Sequence, residues 1–448
     1  MKTPPRLRNR PARRAASRGV AALIVVMVLF FVVSLVAAYT NRNLVFEQRT
    51  SANQYRSTQS AEIAMAGLNW AIAMLNGSRI DDLCLPSTDL AKTTFRQRYL
   101  ITDASTGIVT PQTKLPSGDV LYAACLLDGT NWNCSCPDNG DPAPAAPTGA
   151  GMHPAFQVRF FRDPAASAAL PPGMIRLDSV ACPTFDAACL AINNVNSTEG
   201  RIVVSTLVAL QSGLKTPPAA AITARTNIDV GVSALQAYNA DVASGGVALQ
   251  LGGSVSAATK GAMTYAGPPG TPASFALVEL DPTLSGLTTV GAVLPTFGDR
   301  MFATVFGLKP GTYAGQPGLT RLICPCSAQN LRDALAASPL RPIWAEGDVD
   351  IDSVGDIGSA ADPILVVATG NITFSTAGVT VYGALYSRSA SWATAGSGTI
   401  RGAVIAENDI SGTGAWTVVY DPAVLNALRI RYGSFVGLPG AWKDYTPL

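Results

Sequence analysis

Apolar positions run almost unbroken from Val20 to Ala38, and the first charge after them is Arg42. From Asn43 the pattern becomes amphipathic and stays so to Asn76. In its last turns Ile63, Ala66, Gly67, Trp70 and Met74 share one helical stripe and Met65, Leu68, Ile72 and Leu75 a second, while Glu62, Asn69 and Asn76 mark a narrow polar face. No proline lies between Ala12 and Leu85, and Gly67 is the only glycine from Val20 to Asn76. The pattern predicts one helix over 20–76, roughly 85 Å long at ~1.5 Å per residue, stopped by Asn76-Gly77. So wide an apolar surface implies packing on the chain's own globular part, either alone or together with something else.

Beyond the helix the period changes. Ser78 to about Ala155 reads as loop-rich, with a Pro, Asp, Asn and Gly stretch over 137–151 that suits an exposed loop. Phe156–Phe161, Met174–Val180 and Arg201–Leu210 read as strands of an antiparallel meander. Lys215 to Thr226, with two prolines and much alanine, reads as a link. The C-terminal half then repeats: Thr380-Val-Tyr-Gly-Ala-Leu-Tyr-Ser387 recurs nineteen residues later as Thr399-Ile-Arg-Gly-Ala-Val-Ile-Ala406. Short strands at a period near twenty suggest stacked rungs in which each unit buries its face on the next. We expect a β-solenoid-like domain from about 240–265 and 343–420, with an ordinary β-sandwich as the alternative. Residues 268–340 read as an insertion containing a helix near 328–337, and 421–448 as a cap.

The segment ahead of the apolar run is basic and acid-free: Lys2, Arg6, Arg8, Arg10, Arg13, Arg14 and Arg18. Val20 to Tyr39 is long enough to cross a bilayer, with the span placed at 20–41. The basic flank orients the N-terminus toward the cytoplasm and the remainder toward the periplasm. A secretory signal peptide has a shorter apolar core. A plain signal anchor shares the length and orientation, and differs in lacking the long helical continuation and the glycine at the charged-to-apolar junction.

Glu47-Gln-Arg-Thr-Ser-Ala-Asn-Gln-Tyr-Arg-Ser-Thr-Gln-Ser-Ala-Glu-Ile-Ala-Met-Ala-Gly-Leu68 resembles the N-terminal region of the PilX family of type IV minor pilins, through Glu47, Arg49, Ala52, Asn53, Tyr55, Gln59 and Ala64 to Leu68. The resemblance covers roughly residues 18–76. It implies that a prepilin peptidase cuts after Gly19 and leaves Val20 as the new N-terminus. Two positions depart from the wider pilin pattern: Val20 stands where Phe or Met is usual, and the fifth mature residue is Ile24 where most pilins carry glutamate. A carboxylate in lipid is costly unless paired, and in a pilus shaft it is thought to pair with a neighbour's N-terminal ammonium. A subunit with none above it can dispense with that glutamate, so Ile24 favours an initiating or tip role. The bulk of a 429-residue mature chain out of 448 points the same way. The implied partners are the inner membrane, other minor pilins and the major pilin, the peptidase, and an adhesin at the tip.

Charge and candidate chemistry narrow the picture further. Removing the leader's seven cations from 32 leaves 25 against 30 acidic residues, which gives no basic face for nucleic acid. Eight cysteines suit an oxidising compartment. Cys182 and Cys189 are the expected disulfide. Cys134-Ser-Cys136 and Cys324-Pro-Cys326 are the one candidate for a four-thiolate metal site, although zinc sites more often use Cys-x2-Cys. The lone histidine, His153, lies beside a loop and is read as structural; no Gly-x-Ser-x-Gly elbow and no Gly-Lys dipeptide occurs. Asp348, Asp350, Asp352 and Asp356 form the only dense acidic set and are a weak calcium candidate, since calcium accepts such oxygens. No catalytic residue and no cofactor is expected.

The expected fold is α+β: a basic leader (1–19), a membrane-spanning pilin helix (20–76), a pilin-like antiparallel β head (77–226), a repeat domain (227–420) and a cap (421–448). The functional expectation is a non-enzymatic minor pilin acting in pilus assembly, near the tip, with an adhesive role. A minor pseudopilin of type II secretion and a membrane-anchored, glycan-active β protein are the alternatives.

Overall fold

The computed structural model describes residues 18–162, 170–185, 200–285, 297–389, 391–394 and 396–443. One helix, Arg18–Leu75, carries both the apolar run and its amphipathic continuation; the leader's cations from Lys2 to Arg14 lie outside the described residues. From Ser60 onward the chain forms one compact unit, distinct from the part up to Gln59. Mixed helix and strand make up that unit.

The first layer of the unit is a six-stranded antiparallel sheet, ordered Gly433–Gly437, Ile202–Ser212, Met174–Cys182, Ala155–Phe161, Tyr122–Asp128, Asn131–Ser135. The three strands expected from period-two patterning sit at its centre. Phe156, Val158, Phe160, Ile175, Leu177 and Val208 alternate onto one face and bury Ile63, Ala64, Leu68, Ala71 and Leu75 of the helix. Gly67 is there because the helix comes very close: a Cβ on it would stand 2.4 Å from Ser179 Oγ and 2.9 Å from the Phe156 ring. The helix ends at a specific lock. Asn76 accepts from the Phe435 N–H and donates to the Phe435 carbonyl, both at 2.8 Å, so the stop signal also holds the last strand.

That last strand was unexpected. Of the expected cap over 421–448, the helix Pro422–Arg431 buries Leu425 and Leu428 against Tyr386, Ala403 and Ile405 of the repeats, whereas Gly433–Gly437 pairs with Ile202–Ser212 at the edge of the head sheet.

The second layer is an eleven-stranded sheet whose strand pairs are all parallel. The two repeat copies are neighbours in it, in register from Thr380 opposite Thr399 to Ser387 opposite Ala406. Two three-stranded parallel sheets, Cys326–Ser327 with Val349–Ile351 and Ile372–Phe374, and Ser391–Thr394 with Asp409–Gly412 and Ile228–Asp229, complete the layers. Ile343, Val366, Leu385 and Val404 of the large sheet bury against Val349, Ile372 and Ile410 of the small ones. Trp344, Val367, Tyr386 and Ile405 point the other way, into Phe302, Phe306 and Leu428. Burial on both faces is the usual state of a parallel sheet.

The expectation of a β-solenoid is corrected. A solenoid winds as a single stack, and this sheet forks. The first half of Gly398–Ala406 pairs with Thr417–Tyr420, its second half with Ile222–Ala224. The fork lies at Gly402, whose φ is +138° and where a Cβ would meet the Gly383 carbonyl at 2.0 Å. Only glycine permits both the conformation and the approach. The supposed insertion also contributes Thr320–Ile323 and Leu277–Val278 to the large sheet, and its expected helix forms over Ala328–Ala337, started by a capping box between Ser327 and Asn330.

Candidate functional site

The helix is the element with the most unusual surface. Leu23 to Val36 are exposed, with Ile24 at 55% and Phe30 at 74%, and Tyr39, Leu44, Val45 and Phe46 follow them. It is the one helix among the described residues that is long and apolar enough to cross a membrane. Two of its hydroxyls bond within the helix, Thr40 Oγ1 donating to the Val36 carbonyl at 2.7 Å and Thr50 Oγ1 to that of Phe46 at 3.0 Å. This suits an environment without water, where unpaired polar groups are costly. Gly19 and Val20 lie in the first turn of the helix, which begins at Arg18.

From Ser60 the same helix changes character. Trp70 packs edge-on to Phe95 and Phe156 at 5.4 and 5.6 Å between ring centroids. Glu62, Met65, Ala66, Asn69 and Ala73 remain exposed. Of the two predicted apolar stripes, Ala66 and Met65 are therefore left uncovered within the chain.

The acidic set around 350 does not converge. Asp348 Oδ1 accepts from the Asn371 N–H at 2.7 Å, Asp350 accepts from the Thr373 and Ser375 hydroxyls at 3.0 and 2.8 Å, and Asp352 Oδ1 accepts from the Ala328 N–H at 3.2 Å. The Asp356 carbonyl accepts from Arg332. The carboxylates of Asp348, Asp350 and Asp352 thus bond groups on neighbouring segments, and among the described residues no three His, Cys, Asp or Glu side chains are placed to hold a metal. His153 Nε2 lies 2.9 Å from the Gly149 carbonyl and its Nδ1 3.3 Å from that of Leu127 and 3.6 Å from Asp128, so the ring sits against the loop.

The cysteines form bonds that spacing did not show. Cys84 joins Cys136, Cys125 joins Cys134, and Cys324 joins Cys326. The four-thiolate reading is overturned by these pairings. Cys182 is disulfide-bonded, and Cys189 lies outside the described residues.

Sequence reading missed a buried polar cluster. Tyr386 Oη donates to Glu407 Oε1 at 3.0 Å, Arg388 Nε donates to the same oxygen at 2.8 Å, and Arg388 also bridges to Asp299. Burial holds the Glu407 carboxyl above the usual carboxylate range, although Arg388 and Tyr386 pull it down. Burial likewise raises the Tyr386 phenol. A signal was available: Arg388 and Glu407 are nineteen apart, one repeat period, so the register that pairs Ser387 with Ala406 sets them side by side. A second missed group is Arg96, whose guanidinium donates to the carbonyls of Gly433 and Arg431 and lies 4.8 Å over the Phe435 ring. Burial, then the nearby Arg431 charge, pushes it down to about 9.

Residues 18–69 match the family model described as PilX N-terminal, so the resemblance carried by Glu47 to Leu68 is borne out. No curated protein matches the chain. Among solved structures, the competence-associated pilin ComZ from Thermus thermophilus is 10% identical, over 87% of this chain and 97% of that one. Its TM-score of 0.19 is too low to carry an argument.

Proposed function

We propose that this chain is a minor pilin of the type IV pilus system, working by assembly and not by catalysis. The observation that carries the reading is the family match over 18–69 on a helix whose apolar side chains are exposed from Leu23 to Val36. Such a surface is stable only when lipid or other apolar helices cover it. In this reading the leader is removed after Gly19, the helix is held in the inner membrane with the leader in the cytoplasm and the folded unit in the periplasm, and it then joins other minor pilins and the major pilin. Ile24 supports a place at the tip or in initiation, because the position lacks the carboxylate that pairs with a neighbour's N-terminus. The sheet-rich unit would then be the part presented to a surface or to a tip adhesin.

The test is the mass of the N-terminal peptide from membrane-extracted protein, with and without the host's prepilin peptidase. A start at Val20 only when the peptidase is present is the expected result. An intact Met1 leader under both conditions overturns the reading and leaves a single-pass anchored protein.

A further inference from the structure

We propose that the Cys324–Cys326 disulfide is a thiol–disulfide exchange site whose partner is a dithiol, either a small molecule or a cysteine pair on a polypeptide. Its setting differs from those of the two other pairs with both cysteines among the described residues. Cys84–Cys136 spans 52 residues and both its cysteines are buried. Cys125–Cys134 staples directly opposed residues of a hairpin, with Cys125 fully buried. Cys324–Cys326 closes over a single residue, Pro325, which is exposed; Cys324 is half-buried, as Cys134 is, and Cys326 is buried.

The bond contributes little that the fold lacks without it. Loop-closure stabilisation grows with the length of chain enclosed, so a bond across one residue constrains the unfolded chain least. The corner is also built independently: the Cys324 N–H donates to the Glu346 carbonyl at 3.1 Å and the Cys326 N–H to that of Asp348 at 3.0 Å. Ser327 and Asn330 then start the following helix.

Its place in the sheets is at an edge. Thr320–Ile323 is the terminal strand on its path of the large sheet, and Cys326–Ser327 is the terminal strand of a small one. The disulfide therefore sits where the chain crosses between two sheet edges, with a strand on one side only. Ile323, next to Cys324, is 88% exposed.

In the exchange, a thiolate of the dithiol attacks Cys324 Sγ. The Sγ–Sγ bond breaks and Cys326 leaves as a thiolate. The partner's second thiolate then attacks its own sulfur in the mixed disulfide and expels the Cys324 thiolate. The two protons given up by the partner reprotonate Cys324 and Cys326. The partner is oxidised to a disulfide and the protein pair is reduced to two thiols, a balanced two-electron transfer.

The test uses the full chain in detergent, limiting dithiothreitol, an iodoacetamide quench and peptide mapping. Alkylation of Cys324 and Cys326 should run at least about tenfold ahead of Cys84, Cys125, Cys134 and Cys136, as expected for a bond that encloses so little chain. In the variant Cys326→Ala, the freed Cys324 thiol should be converted to a mixed disulfide by oxidised glutathione. Replacing dithiothreitol by a reduced Cys-Gly-Gly-Cys peptide separates the two sources: its oxidation at a similar rate supports a polypeptide partner, and its failure to react supports a small-molecule one. Reduction of Cys324–Cys326 no sooner than the other pairs, or a Cys324 thiol inert to glutathione, overturns the proposal.

Discussion

Phe30 and Phe374 are the same side chain in two regions with opposite solutions to one problem. Phe374 lies between the parallel sheets with none of its surface exposed; Phe30, on the helix, is 74% exposed. Each face of the large sheet is covered by the chain itself, by the small sheets on one side and by helices on the other. Nothing within the unit up to Gln59 covers Leu23 to Val36. A patch of that extent is far more than a soluble monomer leaves to water. The contrast separates a part of this sequence that encodes its own fold from a part whose apolar side chains stand exposed.

The largest expected effect breaks the comparison at these two residues. Phe374→Ala should destabilise the full chain in detergent by about 3–5 kcal/mol, the cost of deleting a core aromatic. Phe30→Ala should change it by less than about 0.5 kcal/mol, because its cover is detergent in both states. Urea denaturation followed by tryptophan fluorescence measures both.

The next two variants sharpen where one regime gives way to the other. Asn76→Ala leaves the Phe435 N–H and carbonyl without their buried partner and should cost about 2–3 kcal/mol, with faster hydrogen exchange along Gly433–Gly437. Gly67→Leu gains up to about 0.8 kcal/mol of helix propensity. It also forces a side chain into a gap where a Cβ alone stands 2.4 Å from Ser179. Overpacking of about 1–3 kcal/mol should win, read as a lower urea midpoint.

A smaller effect concerns charge inside the sheets. Glu407 has its carboxyl pKa raised by burial above the ordinary 4.5. Between 4.5 and the folded value the folded chain therefore binds more proton at this site than the unfolded chain does. Stability from this group is full below 4.5 and is lost as pH rises through the folded value. The stability of the parent relative to Glu407→Gln should accordingly fall as pH is raised from 4.5; a difference that stays flat or rises would contradict the assignment.

Local pattern made much of this legible. The helix was readable because its apolar run, stripes and Asn76-Gly77 stop are local signals, and the three central head strands and the helix at 328–337 were readable for the same reason. Long-range pairing was not. Gly433–Gly437 is short, glycine-flanked and without clear alternation, and it finds Ile202–Ser212 across more than two hundred residues. The repeat at Thr380 and Thr399 correctly placed two neighbours, but nothing in it announced the fork at Gly402. For the acidic set, alternation fixes a strand face but not the partners on adjacent segments; here Asn371, Thr373, Ser375 and Ala328 take up the carboxylates.

The central claim is that the exposed apolar surface of the helix is covered by matter outside the chain. Phe30 and Phe275 are similarly exposed within it, at 74% and 70%. Phe30→Cys and Phe275→Cys, each treated with a membrane-impermeant maleimide in cells with a permeabilised outer membrane, give the most direct comparison. The account predicts rapid labelling at position 275 and protection at position 30 until detergent is added. Equal labelling at both positions before detergent would contradict it.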